Sequence, residues 1–198
     1  MAKGKKRAQV AEPTREELSA FAYQPTGAEG FDTEKPFGSQ SYKHMKGLLM
    51  QRVNPSRYVH SISVAKTARK LARAYGYDSH VARMAGLLHD WDKALLPAQL
   101  QQRISDFDLN VSPDVVNGMP WVLHGPTAAA ALRRDFPSFG EEVFQAIDRH
   151  TVGAPDMGPL DMIVFVADKI EPTHDVAEYK RLYKQIGIMS LEELFYAV

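Results

Sequence analysis

The sequence predicts an all-α protein, a single helical bundle over residues 41–198 behind a polar, largely disordered N-terminal tail over 1–40. Three observations carry this reading. Apolar residues recur at three- and four-residue spacing in successive segments from Ser41 onward, the period of a helix with one buried face. The segments are bounded by helix punctuation, with Asn, Asp or Ser ahead of them and Gly or Pro behind. The one run suited to a strand, Ile163-Val164-Phe165-Val166, has no evident partner strand.

Residues 1–40 mix Lys, Glu, Gly, Pro, Thr and Gln with few large aliphatics, too little apolar surface to offset the entropy of ordering. One exception is expected, a short helix starting near Thr14 with Glu16, Glu17 and Leu18, which would dock Phe21 and Tyr23 onto the domain. From Ser41, Met45, Leu48, Leu49 and Val53 share a helical face, and Asn54-Pro55-Ser56 breaks the run and caps the next helix. Between Arg57 and Tyr75, the positions His60, Val64, Ala68, Leu71 and Tyr75 form one stripe, which Gly76 stops. Asp78 and Ser79 cap a helix through Val81, Met84, Ala85, Leu87 and Leu88, whose Ala82, Ala85 and Gly86 permit close packing. That helix should be the buried centre of the domain, and it ends at His89-Asp90.

Leu95-Leu96-Pro97 begins a short helix with Leu100 and Ile104 on one side, and Ser105 to Met119 reads as a loop-rich connection. His124-Gly125-Pro126 leads into an alanine-rich helix from Thr127 to Phe136, with Pro126 in its first turn. Gly140 to His150 forms the next helix, with Val143, Phe144, Ile147 and His150 on one face and Gly153 beyond its end. Pro159, Asp161 and Pro172 punctuate a further helix that carries Asp168 in very apolar company. A helix through Tyr179, Leu182, Tyr183 and Ile186 follows, and Ser190 with Glu193 makes a capping box for the last one.

Composition narrows the chemistry. With 24 basic and 24 acidic residues the formal charge is zero, so nothing calls for nucleic acid or an anionic membrane as partner. The absence of cysteine removes disulfides, iron–sulfur clusters and thiolate zinc sites. Any metal must be held by His, Asp or Glu. The basic start Lys3-Gly4-Lys5-Lys6-Arg7 is followed by no apolar segment, so a cytoplasmic location is expected.

The candidate ligands are spread along the chain: His60, His89-Asp90, His124, His150 and Asp168, each flanked by apolar residues that turn inward. Imidazole nitrogen with carboxylate oxygen suits Fe, Mn, Co, Zn and similar ions. A lone histidine on such a stripe is more often a hydrogen-bonded core residue, and a lone His-Asp pair is more often a solvated helix end, so the ordered set carries the argument. A charged Asp168 in apolar surroundings is costly without a cation beside it. Lys93, one turn beyond His89, reads equally as a phosphate ligand or as a surface cation at a helix C-terminus, and Thr151 equally as a site hydroxyl or a turn residue.

Taken in order, His60, His89-Asp90 and Asp168 resemble the H…HD…D signature of the HD-domain metal-dependent phosphohydrolases. The stretches Arg57-Tyr58-Val59-His60-Ser61, Ala85 to Lys93, Leu123-His124-Gly125-Pro126, His150-Thr151-Val152-Gly153 and Phe165 to Pro172 resemble the YqeK branch of that superfamily, from about Pro55 to Asp175. The resemblance implies an HD-domain helical bundle that cleaves diadenosine tetraphosphate symmetrically into two ADP. It implies a divalent metal, iron first, with Mn, Co or Zn open. His60, His89, Asp90 and Asp168 would hold it, and His124 and His150 would either hold a second ion or contact phosphate as acid or base. Arg57, Lys93, Thr151 and His174 fall to the substrate, which His60 would also touch, and Lys93 joins His124 and His150 as a catalytic residue; the branch usually carries arginine where His174 stands. The implied partner is a small-molecule nucleotide, with a homodimer left open as the assembly. Two other readings stand beside this one: an HD-type hydrolase of another nucleotide, such as a monophosphate or a guanosine polyphosphate, and a non-catalytic nucleotide or metal sensor. All six His/Asp positions and Lys93 are present, which weighs against a degenerate sensor. The lack of a Gly-Tyr-Pro element after His-Asp disfavours a cyclic-dinucleotide phosphodiesterase.

Overall fold

Local signals start and stop each helix of the bundle. Asn54 caps the helix Pro55–Ala74 by accepting from the Arg57 N–H at 2.9 Å, Asp78 caps the helix Ser79–Leu88 by accepting from the His80 and Val81 N–H groups, and Ser190 and Glu193 cap the last helix reciprocally. The structure, a computed structural model, describes residues 27–198. The helix expected near Thr14, with Phe21 and Tyr23, lies outside the described residues.

In chain order the α-helices are α1 (Ser39–Arg52), α2 (Pro55–Ala74), α3 (Ser79–Leu88), α4 (Pro97–Asp106), α5 (Pro113–Gly118), α6 (His124–Asp135), α7 (Glu141–Arg149), α8 (Pro159–Ile170), α9 (Ala177–Tyr183) and α10 (Leu191–Ala197). Single 3-10 turns cover Pro120–Val122 and Pro137–Phe139. There is no β-strand among the described residues, so the Ile163–Val166 run is helical, as Pro159 and Asp161 at its start predict. No helix among them is long and apolar enough to cross a membrane.

The core forms where α2, α3 and α8 meet, with α6 and α7 packed beside them. Small residues set the closeness of these contacts. A Cβ on Gly86 would lie 3.0 Å from the Ala68 Cβ, and one on Gly125 only 2.7 Å from the Asp148 carbonyl oxygen. The backbones of α2 and α3, and of α6 and α7, therefore approach as only glycine permits.

Three expectations need correction. The polar tail was expected to reach about residue 40, but Phe31 is buried with its ring 5.1 Å from Phe136 and 5.2 Å from Phe139, and α1 begins at Ser39. Aromatic burial anchors a stretch whose average composition is polar. The connection from Ser105 to Met119 contains the end of α4 and a short helix started by Pro113 and Asp114. Finally, α9 stops at Tyr183 instead of running through Ile186, because the chain turns at Gly187, whose φ is +83°.

Candidate metal centre

Helix ends from five parts of the chain converge on one buried point. His60 comes from the N-terminal part of α2, His89-Asp90 from just after α3, His124 from the first residue of α6, His150 from just after α7, and Asp168 from the last turn of α8. The His89–Lys93 stretch is held by Asp92, which is fully buried and takes Arg52 at 2.8 Å and Arg103 at 2.6 Å. Two arginines from different helices thereby pin the turn that presents Asp90.

Each imidazole is fixed through Nδ1. Those of His89, His124 and His150 lie 2.8, 2.7 and 2.6 Å from the carbonyl oxygens of Gly86, Trp121 and Ile147, in each case three residues back. A carbonyl only accepts, so Nδ1 carries a hydrogen and Nε2 is the atom that faces the centre. His60 Nδ1 instead faces the Glu171 Oε1 at 3.1 Å. All four Nε2 atoms thus face the centre, each oriented by an oxygen behind it.

Asp90 stands between two groups of these nitrogens. Its Oδ2 lies 3.3 Å from His89 Nε2 and 3.8 Å from His60 Nε2, and its Oδ1 lies 3.2 Å from His124 Nε2 and 3.7 Å from His150 Nε2. Asp168 Oδ1 completes the first group at 3.0 Å from His60 and 3.5 Å from His89. Donor atoms of His60, His89 and Asp168 fall within 4.8 Å of one another, as do those of His89, Asp90 and His150. In the second group the Nε2 atoms of His124 and His150 are 3.0 Å apart, with the Thr151 hydroxyl 3.2 and 3.1 Å from them. Lone pairs aimed at one another repel unless a proton or cation lies between them. Buried nitrogen and carboxylate donors in this arrangement fit a divalent metal ion.

The titration behaviour reports the same field. Burial pushes His89 down, but the charges of Asp90 and Asp168 outweigh it and hold the imidazole up at about 10. Burial likewise opposes ionisation of Asp90 and Asp168, and the surrounding imidazoles keep both carboxyls well below their ordinary value. His150 goes the other way: burial dominates and lowers it to about 4. Burial is also the largest influence on Lys93 and lowers it.

The expected substrate residues ring this centre. Lys93 Nζ is 3.3 Å from His124 Nε2 and 4.0 Å from Asp90 Oδ1. Arg57, expected to face phosphate, is paired with Asp90 Oδ2 at 2.9 Å while still a third exposed. His174 packs its ring 5.5 Å from that of His60, with Nε2 3.5 Å from Glu171 Oε1. Between Arg57, Val59, His60, Thr173 and His174 opens a cleft of about 580 Å³.

Two residues escaped the sequence reading. Glu171 is buried at 1% exposure and accepts from His60 Nδ1, from the Thr173 N–H at 2.7 Å and from the Thr173 hydroxyl. Burial raises its carboxyl, yet these donors and the Ser63 hydroxyl bring it down to about 2. Its spacing of three from Asp168 was the available signal, since it places both carboxylates on one side of the α8 terminus. Lys169 Nζ lies 2.7 Å from Asp168 Oδ2; nothing in the sequence separated it from the protein's other surface lysines.

The model of the HD domain family matches residues 57–173, more than half of the chain. The chain is 35% identical over 127 residues to the symmetrical bis(5'-nucleosyl)-tetraphosphatase of Staphylococcus aureus, an alignment covering 64% of each chain. It therefore spans just under two thirds of that relative's length. With the enzyme of the same name from Halalkalibacterium halodurans, identity is 33% over 148 residues, 71% of this chain and 76% of the relative. Among solved structures, the fold matches a Clostridium acetobutylicum protein described as a "predicted HD superfamily hydrolase involved in NAD metabolism". That match has a TM-score of 0.73 at 30% identity, over 79% of this chain and 82% of the other.

Proposed function

The chain belongs to the HD-domain family, and on that premise we propose that it is a metal-dependent hydrolase that cleaves diadenosine tetraphosphate symmetrically into two ADP. One observation carries the reading: Asp90 sits between His60, His89 and Asp168 on one side and His124 and His150 on the other, in a chain similar to enzymes named for this activity.

His60, His89, Asp90 and Asp168 are the residues we assign to the metal. Iron is preferred from the family resemblance, and the nitrogen and oxygen donors also accept Mn, Co or Zn. The 3.2 and 3.7 Å separations of His124 and His150 from Asp90 Oδ1 support a second ion there. The other role open to this pair is direct contact with phosphate, with Nε2 as the atom that holds or gives up a proton. A bound divalent ion supplies Lewis acidity and a water that ionises near neutrality.

The remaining work falls to the chain's own side chains. Lys93 and Arg57 offset the charge that builds on the departing phosphate, and they do so from preset positions in a partly water-excluded site. Lys93 is suited to this because burial has already stripped much of its hydration. The Thr151 hydroxyl donates to a phosphoryl oxygen beside His124 and His150. His174, shorter than the arginine usual in the YqeK branch, serves the cleft mouth from beside His60. The proposal includes a cytoplasmic location, a nucleotide rather than a nucleic-acid partner, and a homodimer as the assembly to test; the zero formal charge supports the choice of partner.

The test is incubation of metal-loaded protein with diadenosine tetraphosphate, with products resolved by chromatography and metal content measured on the same sample. ADP as sole product is expected. The description of the Clostridium protein as involved in NAD metabolism favours a second substrate class, other nucleotides of that kind. Turnover of one of these with none of the dinucleotide would replace the first reading with the second.

A further inference from the structure

Charge is unevenly spread along this neutral chain. Between Lys35 and Asp78 it holds eight Lys and Arg and no Asp or Glu. Two of the eight, Arg52 and Arg57, are held by Asp92 and Asp90 at the metal centre. Arg69 and Arg73 stand towards the other end of α2, one turn apart and so on one side of the helix. Arg69 lies nine residues beyond His60, about 14 Å along the axis and on the opposite side of the helix.

A third guanidinium joins these two from α3. The helices α2 and α3 run antiparallel across the turn at Gly76 and meet where Gly86 faces Ala65 and Ala68. Arg83, three residues before Gly86, therefore stands opposite the next turn of α2, the one that carries Arg69 and Arg73. Its guanidinium carbon lies 3.9 Å from the centre of the Tyr42 ring of α1, which fixes the group in place. None of the three arginines forms an ion pair among the described residues, and the Nε–H groups of Arg69 and Arg83 are buried without an acceptor. Burial lowers Arg83 below the usual guanidinium range; Tyr42 works against this, and the charges of Arg69 and Arg73 add to it. Unused donors and mutual repulsion are both relieved by an anion. A phosphate dianion brings more charge and more acceptor oxygens than a carboxylate, and its geometry matches forked guanidinium donors.

We propose that Arg69, Arg73 and Arg83, gathered beside Tyr42 on the side of α2 away from His60, form a second anion site that takes a phosphate group. The site is separate from the metal centre and does not depend on the hydrolase reading. Free phosphate and a small phosphomonoester carry the same group, and both fit it.

Inorganic phosphate titrated into the 15N-labelled, zinc-loaded full chain should shift the side-chain Nε–H signals of Arg69 and Arg83, and sodium chloride at equal ionic strength should not. Arg83→Lys keeps the charge and loses the fork, so phosphate read at the Arg69 signal should weaken about tenfold, the size of one lost charge-assisted contact. Arg69→Ala should abolish the shift at Arg83. Lys70→Ala removes a cation of the same helix that stacks on Tyr183 at 4.0 Å instead, and it should change nothing. Phenyl phosphate separates the two sources of the group: tighter binding of the ester assigns the site to a phosphomonoester, tighter binding of the ion assigns it to free phosphate, and both uphold it. Shifts that chloride reproduces, shifts confined to the metal centre, or phosphate affinity unchanged in both arginine variants overturn the site.

Discussion

Glu171 accepts from His60 Nδ1 at 3.1 Å, and this contact ties the loop after α8 to a side chain on α2. The same terminus supplies Asp168, which meets the other nitrogen of that imidazole at 3.0 Å. His60 is therefore gripped at both ring nitrogens by carboxylates three residues apart. A carboxylate behind a ligating imidazole fixes its tautomer and raises its basicity, and losing one costs about 10- to 100-fold in metal affinity. Glu171→Ala should show a loss of that size in competition with a chelating dye, and Glu171→Gln, which keeps an acceptor oxygen, a smaller one. Equal affinity in all three proteins would make the contact a packing feature.

His124→Ala separates one ion from two. With ions on both sides of Asp90, this variant should lose one equivalent of metal by elemental analysis and keep the one held by His60, His89 and Asp168. Asp90→Ala should lose all metal and all hydrolysis while its helical circular dichroism persists. Full metal content in His124→Ala would assign His124 to substrate instead.

Lys93→Ala should retain its metal, because an ammonium has no lone pair to offer an ion; Nζ lies 3.3 Å from His124 Nε2 and 4.0 Å from Asp90 Oδ1 as a neighbour of the ligands. Its kcat should fall by about 100-fold, the usual cost of removing one preset charge partner of a transition state. An unchanged kcat with wild-type KM would leave Lys93 as a surface cation.

Metal binding should release a proton near neutrality. His89 in the folded, metal-free protein titrates at about 10, above its ordinary 6.5, so at pH 7 it carries a proton that an incoming ion must displace. Apparent metal affinity should then rise about tenfold per pH unit from 7 towards 9, and calorimetry in buffers of different ionisation enthalpy should count one proton released. The sign is opposite for stability of the metal-free fold. A raised folded value favours the fold fully below 6.5, and that contribution fades as pH climbs through about 10. Affinity that is flat with pH would show that His89 is neutral before metal arrives.

Gly125→Ala should be poorly tolerated, since its Cβ would sit 2.7 Å from the Asp148 carbonyl oxygen of α7. Overpacking of this kind costs about 1–3 kcal/mol. Thermal unfolding should show the loss, and the displaced α6 should weaken metal at His124. Gly47→Ala, with nothing within 4 Å, is the matched control and should be neutral or stabilising.

The sequence by itself determined the all-α class and most helix limits, because periodicity and caps are local signals: Asn54, Asp78 and Ser190 each act within a few residues of themselves. It also marked His60, His89, Asp90, His124, His150 and Asp168, since polar groups placed among inward-facing apolar residues must find partners. Only the tertiary structure decided how the other five divide around the two oxygens of Asp90, because that depends on the meeting of helix ends more than a hundred residues apart in the chain for His60 and Asp168. The burial of Phe31 against Phe136 and Phe139, the clamp of Arg52 and Arg103 on Asp92, and the role of Glu171 behind His60 are non-local in the same way. A single side chain carries no period or cap that announces its distant partner, and the fold alone brings the two within reach.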